Sequence, residues 1–428
     1  MIPLIRRWLR SIATFAAVVS LMVAPCSAAD SSALKPIDQA SLQAVVTATA
    51  KELLVPGAVV LLRTPQGNFA VATGTTQLGT SNAPTAGTYF RIASNTKTMT
   101  AAIIMQLAQE GKLSLSDPIS KFVAGVPGGD KITIAELLEM RSGLFNYTDA
   151  PEIAASLDHD PSKAWTPEEL LAIALKRPIN APPGMTFQYC NTNYALLGLV
   201  VEKVDGKPLR TAMQDRLFGP LGMKHTMLPV AASNKIPNPF SHGYLYGSSS
   251  VALTGDPPYS PEEIAAARKG TLLPTDYTDV NHSFAAAAGG VISTADDLAI
   301  WIKALTTGRV LNAEYQRRWL DSLQLEDPSN PAGAKYGYGI SELKWGASPN
   351  SNFYLYHGGE TPGYNSFIGY DPTNKITLVV WTNLTVSLDQ VVTANTIMLK
   401  VLDHIYVVSP TPSPKAAPAA TPIKEVGK

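Results

Sequence analysis

Cysteine is nearly absent. The 428 residues contain two, Cys26 and Cys190. Cys26 falls in a segment that reads as a removable leader, so Cys190 is left without a partner and an internal disulfide framework is excluded. An excess of either charge is missing too. The chain has 34 basic and 34 acidic residues, which gives no long-range field for holding nucleic acid or an anionic membrane. Histidine occurs six times, at 159, 225, 242, 282, 357 and 404. No His-Glu-x-x-His and no Cys/His cluster accompanies them, so no metal site is expected. A Gly-x-Ser-x-Gly elbow is lacking, which argues against the hydrolases built on it. No glycine loop for a phosphate is visible, and no cofactor is expected. Stability must come from a core, and 45% hydrophobic residues suffice for a large one.

The two ends read differently from the rest. Arg6, Arg7 and Arg10 precede an apolar run from Ile12 to Ala24, followed by the small residues Ser27-Ala28-Ala29. The run is too short for a membrane span and predicts a secretory signal over 1–29. Arg6-Arg7 hints at twin-arginine export, but the rest of that pattern is weak, and ordinary secretion is preferred. Pro25 directly before Cys26 makes a poor lipidation site. A periplasmic or secreted protein with no stable membrane span after signal removal is therefore expected. The Pro/Ala-rich stretch 409–428 predicts a disordered tail.

Between the ends, the pattern predicts a helix over about 37–54 and a hairpin of strands 58–64 and 68–73, turned at Pro65-Gln66-Gly67. A helix is predicted from Ser94 to Glu110, with Met99, Ile103 and Leu107 four apart and Gly111 as its stop. Short helices follow at 134–140, 167–175 and 194–204. Residues 230–283 read as long surface loops. A helix over 294–305, strands at 353–356, 366–370 and 376–382, and a closing helix over 388–405 complete the pattern. The predicted fold class is α/β: an antiparallel sheet flanked by N- and C-terminal helices, with an inserted, mostly helical domain. One unit over 30–408 is expected, with sheet parts at about 30–90 and 285–408 and the helical part at about 91–284.

Three short motifs carry chemistry. In Ser94-Asn95-Thr96-Lys97 the lysine lies one helical turn from the serine. A serine opening a helix has the dipole and backbone N–H at hand for a developing oxyanion. It needs a base, and a desolvated lysine can serve. The spacing alone is weak, since Ser32-x-x-Lys35 and Ser341-x-x-Lys344 share it, and a plain N-cap is the bland reading. Tyr189-Cys190-Asn191 is the one Tyr-x-Asn in the chain. Its phenol can carry a proton if a cation holds its pKa down, and its amide can orient a substrate or the lysine. His357-Gly358-Gly359 is the one His-x-Gly. Ending a strand, its glycines let a substrate backbone lie close, and the N–H of Glu360 can serve as a second oxyanion donor.

In this order the three motifs resemble the penicillin-recognising serine hydrolases: class C β-lactamases, DD-peptidases and related esterases. The resemblance runs from about Pro56 to Leu402 and is β-lactamase/transpeptidase-like in fold. Arg91-Ile92-Ala93, Arg141-Ser142-Gly143-Leu144, Pro220-Leu221-Gly222-Met223 and Ala288-Gly289-Gly290 add to it. It implies Ser94 as nucleophile and Lys97 and Tyr189 as proton carriers. It also implies Asn191, His357, Gly359 and Glu360 along the substrate, with Phe284 as a pocket aromatic. Which of Lys97 and Tyr189 is the primary base stays open. The substrate would be a small molecule or peptide, with peptidoglycan among the candidates.

The chain also departs from that pattern. DD-carboxypeptidases of this kind carry an arginine after a Tyr-Gly-x-Gly segment, as the anchor for a substrate carboxylate. Here Tyr336-Gly337-Tyr338-Gly339 is followed by Ile340-Ser341-Glu342, with Lys344 the nearest replacement. Glu360 would disfavour an anionic substrate nearby. An esterase of the same fold, and a non-catalytic or slowly turning-over binder of peptidoglycan or β-lactams, stand as alternatives to a DD-peptidase or β-lactamase.

Overall fold

A computed structural model describes residues 34–345 and 352–407. The expected leader over 1–29 and the expected tail over 409–428 lie outside these residues. Eight antiparallel strands form the main sheet among the described residues. They are β1 Gly57–Thr64, β2 Gly67–Gly74, β3 Gln324–Leu325, β4 Lys335–Tyr336, β5 Ser341–Trp345, β6 Asn352–Thr361, β7 Tyr364–Asp371 and β8 Ile376–Thr382. Their order across the sheet is β2-β1-β8-β7-β6-β5-β4-β3. The first hairpin therefore joins the C-terminal strands edge to edge, with Val60 opposite Val380.

Every residue of β7 and β8 is buried, which requires cover on both faces of the sheet. Helices α1 (Gln39–Glu52) and α6 (Thr393–Ile405) pack on each other and on one face, and α5 (Ala295–Thr306) packs on the other. Asp38 caps α1 by accepting from the Ser41 N–H at 2.7 Å, and Thr294 caps α5. The α/β class and the flanking terminal helices agree with the sequence reading. The remaining helices that matter here are α2 (Thr96–Gln109), α3 (Asn191–Asp205) and the one-turn α4 (Ala286–Gly289). The helical part is entered and left through one short ribbon, in which Phe90 faces Ser293 and Arg91 faces Ile292. The Phe90 ring stacks on Trp381 of the sheet, with centroids 4.9 Å apart.

Several expectations change in detail. Residues 230–283 hold helices Ser249–Thr254 and Pro261–Arg268. The second has Pro261 at its first position and a Ser260/Glu263 capping box, a signal legible in the sequence. The closing helix begins at Thr393, not near 388. The strand expected to end at Tyr356 runs on to Thr361, because β6 and β7 form a hairpin around Pro362-Gly363. His357 thus lies inside a strand.

Asn365 ties the terminal helix to this strand. Its Nδ2 donates to the Gly359 carbonyl at 3.0 Å, and its Oδ1 accepts from the Ala394 N–H at 2.7 Å, at the start of α6. The side chain is 2% exposed. Asn365→Ala leaves both backbone groups without that partner in a dry interior, and each such loss costs about 1–3 kcal/mol. Urea unfolding of Asn365→Ala should show a loss of about 2–4 kcal/mol; a loss below about 0.5 kcal/mol, the usual scale of surface substitutions, would remove this residue as a structural tie.

Candidate active site

Ser94 is held on a strained turn. Ala93, the residue before it, has φ +49°, a region non-glycine residues occupy at a cost of roughly 1–2 kcal/mol. Ala93–Asn95 form one 3₁₀ turn, and α2 begins only at Thr96. The sequence pattern predicts Ser94 on the helix itself, two residues earlier than the helix begins. Lys97, three residues on, still shares its face.

Lys97 has no exposed surface. Its Nζ lies 3.0 Å from Ser94 Oγ, 2.7 Å from Asn191 Oδ1 and 2.8 Å from the Ala288 carbonyl. Burial holds its pKa well below that of an ordinary lysine. Asn191 and Ala288 offer oxygens that can only accept. An uncharged amine fills both with its two N–H groups, and its lone pair is then left for the Ser94 hydroxyl. The Asn191 amide is oriented in turn: its Nδ2 donates to Thr148 Oγ1 at 3.0 Å, and its backbone N–H donates to Asn146 Oδ1 at 2.9 Å. The sequence assigns no role to Ala288, Asn146 or Thr148, although Asn146 and Thr148 fall in the stretch Ser142-Gly143-Leu144-Phe145-Asn146-Tyr147-Thr148 that adds to the resemblance. A backbone carbonyl leaves no residue-type signal, although Ala288-Gly289-Gly290 stood out as family-like text.

Tyr189 comes from the loop before α3 and is half-buried. Lys97 Nζ lies 4.8 Å from its ring centroid. Burial raises the phenol pKa above that of a free tyrosine, and the nearby Ser94 hydroxyl only partly offsets this. The condition that a cation hold this pKa down is therefore not met, since the neighbouring lysine is itself driven toward the neutral amine. The phenol stays protonated.

His357 is 4% exposed. Its Nδ1 lies 2.6 Å from the Gly358 carbonyl, so Nδ1 carries the proton and donates, and Nε2 accepts from the Tyr336 hydroxyl at 3.1 Å. Burial, and then the neighbouring Lys97, push its pKa down to about 3. The imidazole is neutral, with its ring centroid 6.4 Å from that of Tyr189. Tyr336, which orients it, belongs to the Tyr-Gly-x-Gly segment.

Gly359 allows strand β6 to touch the serine turn. A Cβ there would stand 2.2 Å from the Ile92 carbonyl oxygen and 2.8 Å from Asn95 Nδ2. Beyond Tyr356, opposite Ser341, β6 has no further partner on the β5 side among the described residues. Antiparallel alternation from the closing Thr361–Tyr364 pair directs the Glu360 N–H to that open edge. The Glu360 carboxyl keeps an exposed surface but stands against the densely walled cleft, which pushes its pKa up to about 7.

Ser94, Asn191, Phe284, Gly289, Glu360 and Thr361 line a cavity of about 40 Å³. Phe284 is 2% exposed, and its carbonyl accepts from the Tyr147 hydroxyl at 2.6 Å. The structure thus brings Ser94, Lys97, Tyr189, Asn191, His357, Gly359, Glu360 and Phe284 around one cleft. Lys344 is not part of it. It sits opposite Phe353, four residues back along β6 from His357, or about 13 Å at roughly 3.3 Å per residue.

A buried lysine, a phenol and a strand edge around a helix-opening serine define a class of site, and the chain matches the Beta-lactamase family over residues 42–403. It belongs to that family. Bacillus subtilis PbpX is 24% identical over 298 residues, 69% of this chain and 62% of that protein. Penicillin-binding protein 4 of Amycolatopsis lactamdurans is 31% identical over 207 residues, 46% of this chain and 51% of that protein. The chain therefore spans about half to three-fifths of these two relatives. The crystal structure of a D-stereospecific amidohydrolase from Streptomyces sp. superposes with a TM-score of 0.70 at 28% identity, covering 86% of this chain and 98% of that one. No helix among the described residues is long and apolar enough to cross a membrane.

The depressed Lys97 pKa has a consequence for stability. The unfolded chain binds this proton up to about pH 10.4, the folded one only at lower pH. Between the two pKa values the unfolded state binds more protons, so stability rises with pH there. Urea unfolding of the wild type and Lys97→Met at pH 7 and pH 9.5 should show the wild type gaining on the variant as pH rises. The gain is at most about 1.4 kcal/mol per pH unit. A gap that does not change with pH refutes the neutral amine.

Proposed function

We propose that the protein is an exported serine hydrolase, its hydrolytic unit lying within about 30–408, that cleaves an amide or ester through an acyl-enzyme on Ser94. The observation that carries this reading is the threefold contact of Lys97 Nζ with Ser94, Asn191 and Ala288. In the proposed cycle the Lys97 lone pair accepts the Ser94 proton as Oγ attacks the carbonyl. The backbone N–H groups of Ser94 and Glu360 hold the oxyanion. Tyr189, protonated, gives its proton to the leaving amine or alcohol and is reprotonated from Lys97. Water then enters by the reverse proton path. His357, neutral and fixed by Tyr336, keeps the strand edge in place without adding charge. Export to the periplasm or beyond rests on the basic and then apolar N-terminal run.

An amide is the favoured substrate, supported by the name of the superposed amidohydrolase and by a proton donor at the leaving-group position. The missing arginine after Gly339 and the remote Lys344 speak against a carboxylate-anchored peptide end. That same observation favours the second reading, an esterase with this machinery.

Ser94→Ala should abolish covalent labelling by a fluorescent penicillin and lower turnover by about a thousandfold or more. Tyr189→Phe separates the proton donor from the base. An anilide, whose leaving group needs a proton, should slow by about 10²–10⁴, and a nitrophenyl ester, whose leaving group does not, by less than about tenfold. Equal losses on the two substrates would sink the donor role.

Glu360 gives a pH signature. Above pH 7 it is charged and repels an anionic substrate; below, it is neutral. Carboxylate-bearing substrates should lose kcat/KM relative to neutral analogues as pH rises from 6 to 8, and Glu360→Gln should remove that difference. If the ratio of the two substrates is flat with pH in the wild type, Glu360 does not face the acyl-donor cleft.

A further inference from the structure

A second cavity lies across α4 from Ser94. Ala285, Ala288 and Gly289 line the Ser94 cleft, whereas Ala286, Ala287 and Gly290 line the second cavity, so this one-turn helix is a shared wall. The second space is about 220 Å³, roughly seven water volumes at about 30 Å³ each. None of Ser94, Lys97 and Tyr189 lines it.

Its wall is largely apolar, with Leu170, Leu199 and Leu228 prominent, but Arg91 stands among these side chains. Arg91 is 2% exposed. Nη2 donates to the Asn234 carbonyl at 2.7 Å, while the buried Nε has no hydrogen-bond partner. Asp279 and Tyr364 favour its charge without bonding to it, and burial pulls its pKa down to about 10, so it is charged at neutral pH. A desolvated cation that bonds to no carboxylate is costly. Trp165 adds a second buried donor without an acceptor, Nε1, on the same wall. The one wall carboxylate, Glu202, already accepts from the Leu209 N–H at 2.8 Å, and Arg210 adds a further cation. The wall therefore carries unpartnered donors on Arg91 and Trp165, an unpartnered ring nitrogen on His282, and hydrocarbon elsewhere.

We propose that this cavity binds a small amphiphilic carboxylate, with its anionic head on Arg91 and its short apolar body among Leu170, Leu199 and Leu228. The volume suits a chain of about seven or eight non-hydrogen atoms, the size of hexanoate.

Calorimetric titration with sodium hexanoate and with 1-hexanol tests this. Hexanoate should bind saturably with a Kd on the order of 1 mM or tighter, and 1-hexanol at least about tenfold more weakly. Arg91→Met should weaken hexanoate by about tenfold or more and leave 1-hexanol nearly unchanged. Because a buried arginine can be needed for folding, Leu199→Trp provides an independent arm: it fills the cavity from the half-buried side of α3 and should abolish binding of both ligands. The proposal is overturned by no saturable hexanoate binding at tens of millimolar, by equal affinity for hexanol, or by hexanoate binding that survives Leu199→Trp.

Discussion

The site depends on burying a lysine amine inside the protein with no carboxylate bonded to it. Lys97 is surrounded by α2, α3 and α4, and no carboxylate is among its hydrogen-bond partners. A charged ammonium there would lose its hydration for contacts with two neutral oxygens and a hydroxyl, which is a poor exchange. Burial lowers the amine's pKa, and in the neutral form two N–H groups meet the Asn191 and Ala288 oxygens and a lone pair remains for Ser94. Everything around it serves that count. Asn191 must present its oxygen, so Thr148 holds its NH₂. Ala288 must present its carbonyl, so α4 ends after one turn, at Gly289.

A second constraint is distance between backbones. The serine turn and strand β6 approach so closely that position 359 has no room for a side chain beyond hydrogen. The same approach sets the edge of β6 that is unpaired among the described residues beside Ser94, where in the proposed reading a substrate backbone adds as another strand. Gly339 works in the same way behind Lys97: with φ +69°, a Cβ there would stand 2.7 Å from Ala101 Cβ and 3.0 Å from the Lys97 carbonyl. These glycines are matched to close packing, and their cost in chain entropy is offset by the contacts they permit.

Much of this was legible in the sequence. The first hairpin, α1, α3 and α5 carried their periodicity and punctuation openly, and each of the three motifs has its full set of residue types. What was not legible is instructive. Residues 324–345 contribute three edge strands, two of them of two residues, too short for period-two alternation to register. The extension of β6 through His357-Gly358-Gly359 contradicts glycine's poor strand propensity and is imposed by pairing with β7. The Ala288 carbonyl is a main-chain atom and could not be read from residue identity. The protonated state of Tyr189 depends on burial and on the neutrality of its neighbour, both properties of the folded cleft.

The distribution of charge around the cleft then limits the chemistry. Lys97 and His357 are both driven toward neutrality by burial, and Arg91 points its charge to the far side of α4. Lys344 is about four strand positions away. Among the described residues the carboxyl on the cleft wall is that of Glu360, whose pKa of about 7 keeps it partly neutral near physiological pH. Among the described residues a cleft so arranged has no fixed cation for a substrate carboxylate, and in the proposed reading recognition falls to the strand edge, the Asn191 amide and the Phe284 wall. Those features read backbone amide shape and apolar surface. That is the basis for favouring an uncharged amide or ester over a peptide with a free C-terminal carboxylate, and it follows from which charges the fold has buried rather than from any single motif.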